Sequence, residues 1–362
     1  MTQRGRAREL GLHLGLLDPG PLNAITDVTG VRVGHCTVVH GDPPGGFGKG
    51  PARTGVTAIW PGDGILRGSV PAGKHLLNGT GEMTGLEEVH ELGAIQTPIV
   101  LTNTMSVGLA YDATARYMIE RYPEKLAGGQ VLIPVAAECN DGHLNDAHGM
   151  HVKHEHVYAA LDAMSDGPVA EGCVGSGTGM ICFGFKGGIG TSSRKLSAEF
   201  GGYTIGVLVM TNFGERPFLN IAGTPVGQRY PHPGTSGAPF DDPDDGSCIV
   251  VIATDAPLTS WQLSRVAQRG GLGLARVGSF SGNGSGDIIL AFSTAYALPE
   301  SAPSYTVTLV SDAGIDPIFA AAVEATEEAI VNSLCMAETT TGLLGRTVEA
   351  VPLDWIAKSG RS

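Results

Sequence analysis

Ser247 stands where a segment rich in proline, glycine and aspartate gives way to an apolar run. Residues 227–246 include Pro231, Pro233, Pro239 and Pro243, a composition that suits neither a helix nor a strand. The segment ends at Asp245-Gly246-Ser247 and is followed at once by Cys248-Ile249-Val250-Val251-Ile252-Ala253. Nucleophilic chemistry from a new N-terminus needs this order: a removable segment, then a hydroxyl at the start of a rigid strand. The Ser247 hydroxyl could attack the Gly246 carbonyl, which no Cβ shields. Water would then cleave the resulting ester. The freed α-amine, with a pKa of ~7.7–8.0 against ~10.4 for lysine, could take the proton of its own hydroxyl near neutral pH. No histidine is required. The same residues also read as a surface loop entering a core strand, because a Gly-Ser pair has little motif specificity.

Other groupings carry weaker chemistry. His143, His148, His151, His154 and His156 lie close in sequence, but their spacing matches no zinc signature such as H-E-x-x-H, so no metal site is expected. Gly175-Ser176-Gly177-Thr178-Gly179 lacks the G-x-G-x-x-G spacing of a dinucleotide loop. Lys186-Gly187-Gly188 does not complete a phosphate-binding loop. Both read as glycine-driven turns. None of the six cysteines forms a C-x-x-C pair, which fits buried free thiols in a reducing cytoplasm.

The elements that must position Ser247 are short apolar strands and a few amphipathic helices. Residues 56–60, 97–101, 131–135 and 203–210 read as buried strands, as do 248–253 and 288–292. Helices are expected over 106–122, where Pro123 stops the run, and from Ser260 to about Ala275. Val157, Ala160, Leu161 and Met164 repeat at helical spacing. Asp316 is a plausible N-cap with Pro317 at the first helical position. In that last helix Phe319, Val323, Ile330 and Leu334 share a face, and Glu324, Glu327 and Glu328 are expected away from it. No strict βαβ rhythm emerges, so a layered α+β or α/β sandwich is expected.

Composition narrows the function classes. A chain of 362 residues can bury a sizeable core without metal or disulfide staples. Glycine, at 54 residues, is about double the ordinary ~7 %, which points to many tight turns and close backbone approaches. A net charge of −13 argues against broad contact with nucleic acid or anionic lipid. No apolar run approaches the ~18–20 residues that span a bilayer. The stretch before residue 18 carries Arg4, Arg6 and Arg8 but no continuous apolar core, and does not read as a signal peptide.

Several segments together resemble one family, the L-aminopeptidase/D-esterase-amidase group that includes the β-peptidyl aminopeptidases. They are Ile25-Thr26-Asp27-Val28-Thr29-Gly30-Val31-Arg32-Val33-Gly34-His35, Leu77-Asn78-Gly79-Thr80-Gly81-Glu82-Met83-Thr84-Gly85, residues 175–194, Gly246-Ser247, Ala253-Thr254-Asp255-Ala256-Pro257-Leu258 and Gly284-Ser285-Gly286-Asp287. The resemblance runs over nearly the whole chain. It implies a single catalytic domain, 1–362, with the α/β/β/α layering of N-terminal nucleophile hydrolases but different connectivity. It implies self-cleavage into chains 1–246 and 247–362 that stay together, no cofactor, and a homo-oligomer of such pairs.

The resemblance also implies roles. Ser247 matches the nucleophile, and Ser285 and Asp287 match a Ser-Gly-acid motif that supports it. Aspartate replaces the glutamate of some relatives there, and β periodicity points Ser285 and Asp287 the same way. Asn212 matches an oxyanion donor. Asn140, expected with it at the oxyanion site, stands where some relatives carry tyrosine. Glu138 matches a carboxylate that receives a substrate's free ammonium. Met105 stands where histidine is familiar, so side-chain preference does not carry over. The expectation is an aminopeptidase acting on small N-terminal residues of short peptides, amides or esters. Three rival readings stay open: an acyltransferase resembling the ornithine acetyltransferases, which use threonine; a binding protein that kept the fold; and a metal hydrolase built on the histidines.

Overall fold

The computed structural model describes residues 3–231, 240 and 246–355. Two sheets lie face to face between two pairs of helices. The smaller sheet has the order β1 (Val31–His40), β2 (Ala52–Pro61), β4 (Ile99–Asn103) and β5 (Val135–Cys139). The larger runs β3 (Gly68–Gly79), β9 (Gly286–Ser293), β8 (Ser247–Thr254), β7 (Thr204–Asn212) and β6 (Gly188–Lys195), with short strands Ala94–Ile95 and Leu298–Pro299 added on β3. β8 is antiparallel to β7 and parallel to β9. Helices α1 (Val107–Arg121) and α2 (His154–Asp162) cover the small sheet; α3 (Ser260–Arg276) and α4 (Asp316–Met336) cover the large one. This is the expected α/β/β/α sandwich.

The sequence of β8 shows why the layers form. Its β-branched run is buried along its whole length. Ile249, Val251 and Ala253 enter the core between the sheets, with Ile59, Val100 and Leu101 of the small sheet. Cys248, Val250 and Ile252 enter the core under α3 and α4, with Val266, Ile330 and Leu334. Period-2 alternation thus supplies both interior layers from one strand. α3 starts with a capping box in which Thr259 Oγ1 accepts from Gln262 N at 3.1 Å and Gln262 Oε1 accepts from Thr259 N at 3.0 Å. α4 reaches β6 closely because Gly190 has no side chain: a Cβ there would collide with the Ala329 carbonyl oxygen.

Four expectations change. The strand expected at 131–135 begins only at Val135 and runs on to Cys139; Val131 is exposed, and Pro134, which has no N–H to give a ladder, closes the loop before it. Asp316 is the first residue inside α4, not its cap, and Met164 lies beyond the end of α2. Glu324, Glu327 and Glu328 are buried, not on an outer face. Arg194 on β6 pairs with Glu324 at 3.1 Å and Glu328 at 2.8 Å, Arg8 with Glu328 at 2.8 Å, and Arg276 with Glu327 at 2.6 Å. The N-terminal arm completes the cover of α4, with Arg6 paired to Glu171 at 2.6 Å.

Residues 227–231, 240 and 246 of the proline-rich segment are described, the first three of them in the short helix Val226–Arg229. Pro233, Pro239, Pro243 and Asp245 lie outside the described residues. Among the described residues, no helix is long and apolar enough to cross a membrane.

Candidate active site

The first residue of β8 sits at the meeting point of three strands. Ser247 is 5 % exposed; its Cα lies opposite Asn212 on antiparallel β7 and beside Gly286 on parallel β9. Directly opposed residues of an antiparallel pair present their side chains on one face, with Cβ atoms about 4.5–5.5 Å apart. The alternation that sends Met210 and Ile249 between the sheets continues to Asn212 and Ser247. Both therefore face the layer that separates the two sheets, at its open end.

Asn212 is held at both ends of its amide. Its Oδ1 accepts from the Ile181 N–H at 2.9 Å, and its Nδ2 donates to the Asn140 carbonyl at 3.1 Å. These partners fix which end of the amide is nitrogen. Asn140 follows β5 of the opposite sheet, so this bond ties the two sheets together at the site. Asn140 takes part through its backbone; its exposed side chain accepts from Gly142 N at 2.9 Å in a local turn.

Ser285 and Asp287 flank Gly286, the β9 neighbour of Ser247. The Ser285 hydroxyl donates to Asp287 Oδ1 at 3.0 Å, and both residues are buried. Gly286 N donates to the Gly246 carbonyl at 3.1 Å, so the carbonyl preceding Ser247 is fixed by the same motif. Glycine is required at 286, because a Cβ would collide with the Thr80 carbonyl oxygen. The Thr80-Gly81-Glu82 turn therefore presses onto the start of β9. An added Cβ on Gly81 would lie 3.3 Å from Gly286 Cα and 3.3 Å from Glu138 Oε1, which brings Glu138 to the same place.

Glu138 is 3 % exposed and near the end of β5. Its Oε1 accepts from Glu82 N at 2.9 Å, and its Oε2 accepts from the Thr104 hydroxyl. Both partners are neutral. Met105, next to Thr104, is 48 % exposed. Thr104 and Glu82 were not singled out from sequence. Both lie in segments noted for other reasons, and only the fold brings them to one carboxylate.

Two thiols lie close by. Burial first, then the charges of Glu138 and Asp287, push the Cys139 thiol well above its ordinary pKa; burial and then Asp287 do the same to Cys248. A thiol so raised stays protonated and is a poor nucleophile.

The histidines are engaged elsewhere. His154 bonds Asp112 at 2.7 Å, His156 Nδ1 accepts from Lys153 N at 3.0 Å, and His148 packs on Phe47. Among the described residues, no group of three or more His, Cys, Asp or Glu side chains gathers as a metal site would require.

Residues 23–348 match the model of peptidase family S58. The β-peptidyl aminopeptidase BapA of Sphingosinicella xenopeptidilytica is 45 % identical over 364 residues, covering 98 % of this chain and 90 % of BapA. Two solved structures superpose closely. The PH0078 protein of Pyrococcus horikoshii OT3 is 43 % identical with a TM-score of 0.91, covering 99 % of this chain and 100 % of that one. The L-aminopeptidase D-Ala-esterase/amidase of Ochrobactrum anthropi, described as a serine aminopeptidase with a variant of the Ntn hydrolase fold, is 44 % identical with a TM-score of 0.89, and 98 % of each chain is covered. These relatives do not favour the acyltransferase or non-enzymatic readings. The chain belongs to peptidase family S58 and is a peptide-bond hydrolase with an Ntn-hydrolase-like layered fold.

Proposed function

We propose that this protein is a self-cleaving aminopeptidase that takes small N-terminal residues from short peptides, amides or esters through an acyl-enzyme on Ser247. The observation that carries the reading is the direct opposition of Ser247 and Asn212 across β8 and β7, at the mouth where Glu138 is also buried. In this reading 1–362 is one catalytic domain that becomes chains 1–246 and 247–362. The Ser247 oxygen attacks the Gly246 carbonyl carbon, the C–N bond breaks as the acyl group passes to oxygen and the α-amine takes up a proton, and water then hydrolyses the ester to the Gly246 carboxylate and the free Ser247 hydroxyl.

In turnover the α-amine takes the hydroxyl proton as the oxygen attacks the acyl carbon. Asn212 Nδ2 has two hydrogens. One is given to Asn140, and the other serves the developing oxyanion. The amine takes its proton back to the leaving group, and water, activated in the same way, frees the acyl group. Asp287 takes the Ser285 proton into a hydrogen bond, which leaves the Ser285 oxygen to accept from the Ser247 amine or hydroxyl. Glu138, whose donors here are neutral, receives the substrate's ammonium, and this selects chain ends over internal bonds. The name of BapA supports β-aminoacyl peptides within the substrate range. We place the enzyme in the cytoplasm as a homo-oligomer of processed pairs.

The test is hydrolysis of a small aminoacyl amide beside its N-acetylated form. Loss of turnover in Ser247→Ala, together with rejection of the acetylated substrate, supports the reading. Turnover that survives Ser247→Ala would sink it.

A further inference from the structure

Lys186 is a fully buried lysine that the mechanism above does not use. It lies in the two-residue strand Phe185–Lys186, the return arm of a tight turn that pairs with Ile181–Cys182 and leads into β6. Its Nζ donates to the carbonyl oxygens of Gly177 at 3.1 Å, Met180 at 2.8 Å and Gly187 at 2.8 Å. An ammonium has three hydrogens, and here each has a carbonyl. Burying a charge in this way is costly unless every hydrogen is satisfied.

One of these carbonyls leads to the site. The Met180 C=O and the Ile181 N–H belong to the same peptide unit. Its oxygen accepts from Lys186 Nζ and also from Gly187 N at 3.0 Å, and its N–H donates to Asn212 Oδ1 at 2.9 Å. The far end of the same turn is fixed to the residue before Asn212, since Gly188 N donates to Thr211 Oγ1 at 3.1 Å. A continuous chain therefore runs from the ammonium through one peptide and the Asn212 amide to the Asn140 carbonyl. Positive charge on the peptide oxygen draws electron density from its N–H. The stronger N–H draws density from Asn212 Oδ1, and that leaves the Nδ2 hydrogens more positive. Hydrogen bonds in such chains polarise one another in a low dielectric.

We propose that Lys186 is a positioning residue for Asn212: its charge, relayed by the Met180–Ile181 peptide, fixes the side-chain amide and strengthens it as the oxyanion donor. The inference rests on Asn212 having that role, so the experiment separates the two. Lys186→Met and Lys186→Gln remove the charge; glutamine keeps a polar head for the carbonyls. Each is combined with Asn212→Ala, and kcat and KM are measured per mole of cleaved chain pair.

The expected result is a fall in kcat of about tenfold in each single Lys186 variant, the scale of one hydrogen bond, with KM changed less than about threefold. In the Asn212→Ala background the same substitutions should change kcat less than about twofold, because the relay has lost its end. Full additivity of the two losses would overturn the proposal, since Lys186 would then act only as a scaffold. So would failure of both neutral variants to fold while Asn212→Ala folds. Full activity in Asn212→Ala alone would instead remove the oxyanion role, and the relay with it.

Discussion

Two buried polar assemblies in this molecule are built on opposite principles. Within α4, each of the three buried glutamates meets a cation: Glu324 and Glu328 face Arg194, Glu328 also faces Arg8, and Glu327 faces Arg276. At the end of the sheet interface, Glu138 is as deeply buried, but its carboxylate is held by a backbone N–H and a hydroxyl. The first assembly has its charges neutralised within the fold and holds the N-terminal arm, β6 and α4 together. The second is held by neutral donors alone, and in the proposed function it is the carboxylate that receives the substrate's ammonium. The two assemblies thus differ in the character of the partners rather than in depth of burial.

The comparison can be broken at either side. Glu328→Gln leaves Arg8 and part of Arg194 buried without a counter-charge. It should cost about 3–5 kcal/mol of stability in urea unfolding, while kcat at low temperature stays near wild type. A loss of kcat without a loss of stability would show that the α4 cluster is not merely structural. Asn212→Ala should do the reverse. Thermal stability should change little, and kcat should fall by 10²–10³, or about 2.7–4 kcal/mol, as expected for removal of one oxyanion donor.

Glu138→Gln is a smaller and more selective change. It keeps the shape and removes the charge, so KM for substrates with a free amine should rise by roughly 10- to 150-fold, the ~1.5–3 kcal/mol of a charged hydrogen bond. N-acetylated substrates should show no such rise. Equal effects on both would remove Glu138 from ammonium recognition.

The last effect, read as a pH slope rather than in turnover, concerns Asp141, next to the site loop. Burial pushes its carboxyl up from 3.8 to about 7. The folded state thus holds a proton that the unfolded chain gives up. Its contribution to stability is fully present below about pH 3.8 and is lost as pH rises to about 7. Glu171, raised to about 7 chiefly by burial, acts in the same direction. Asp141→Asn should flatten part of the decline in Tm between pH 4 and 7, and an unchanged slope would contradict this account.

How far the sequence reached depended on whether the evidence was local. The runs after Ser247 and at 288–292 are apolar, so β8 with its start and β9 were both legible. Periodicity placed α1 and α3 to within a residue or two. It failed for Glu324 and Glu328, because their partners Arg194 and Arg8 lie 130 to 320 residues away in sequence. It failed for residues 131–133, where an apolar composition belongs to a loop that is exposed or half-buried. Lys186 was noticed only as part of an incomplete phosphate loop. Its three carbonyl partners come from a turn whose shape cannot be read from composition.

The central claim is that Ser247 becomes an N-terminus. Intact mass under denaturing conditions, on freshly purified wild-type protein and Ser247→Ala, tests it most directly. The account predicts two wild-type chains, 1–246 and 247–362, and a single chain near 37.3 kDa for the variant. A wild-type protein that hydrolyses aminoacyl amides while remaining one uncut chain would contradict it.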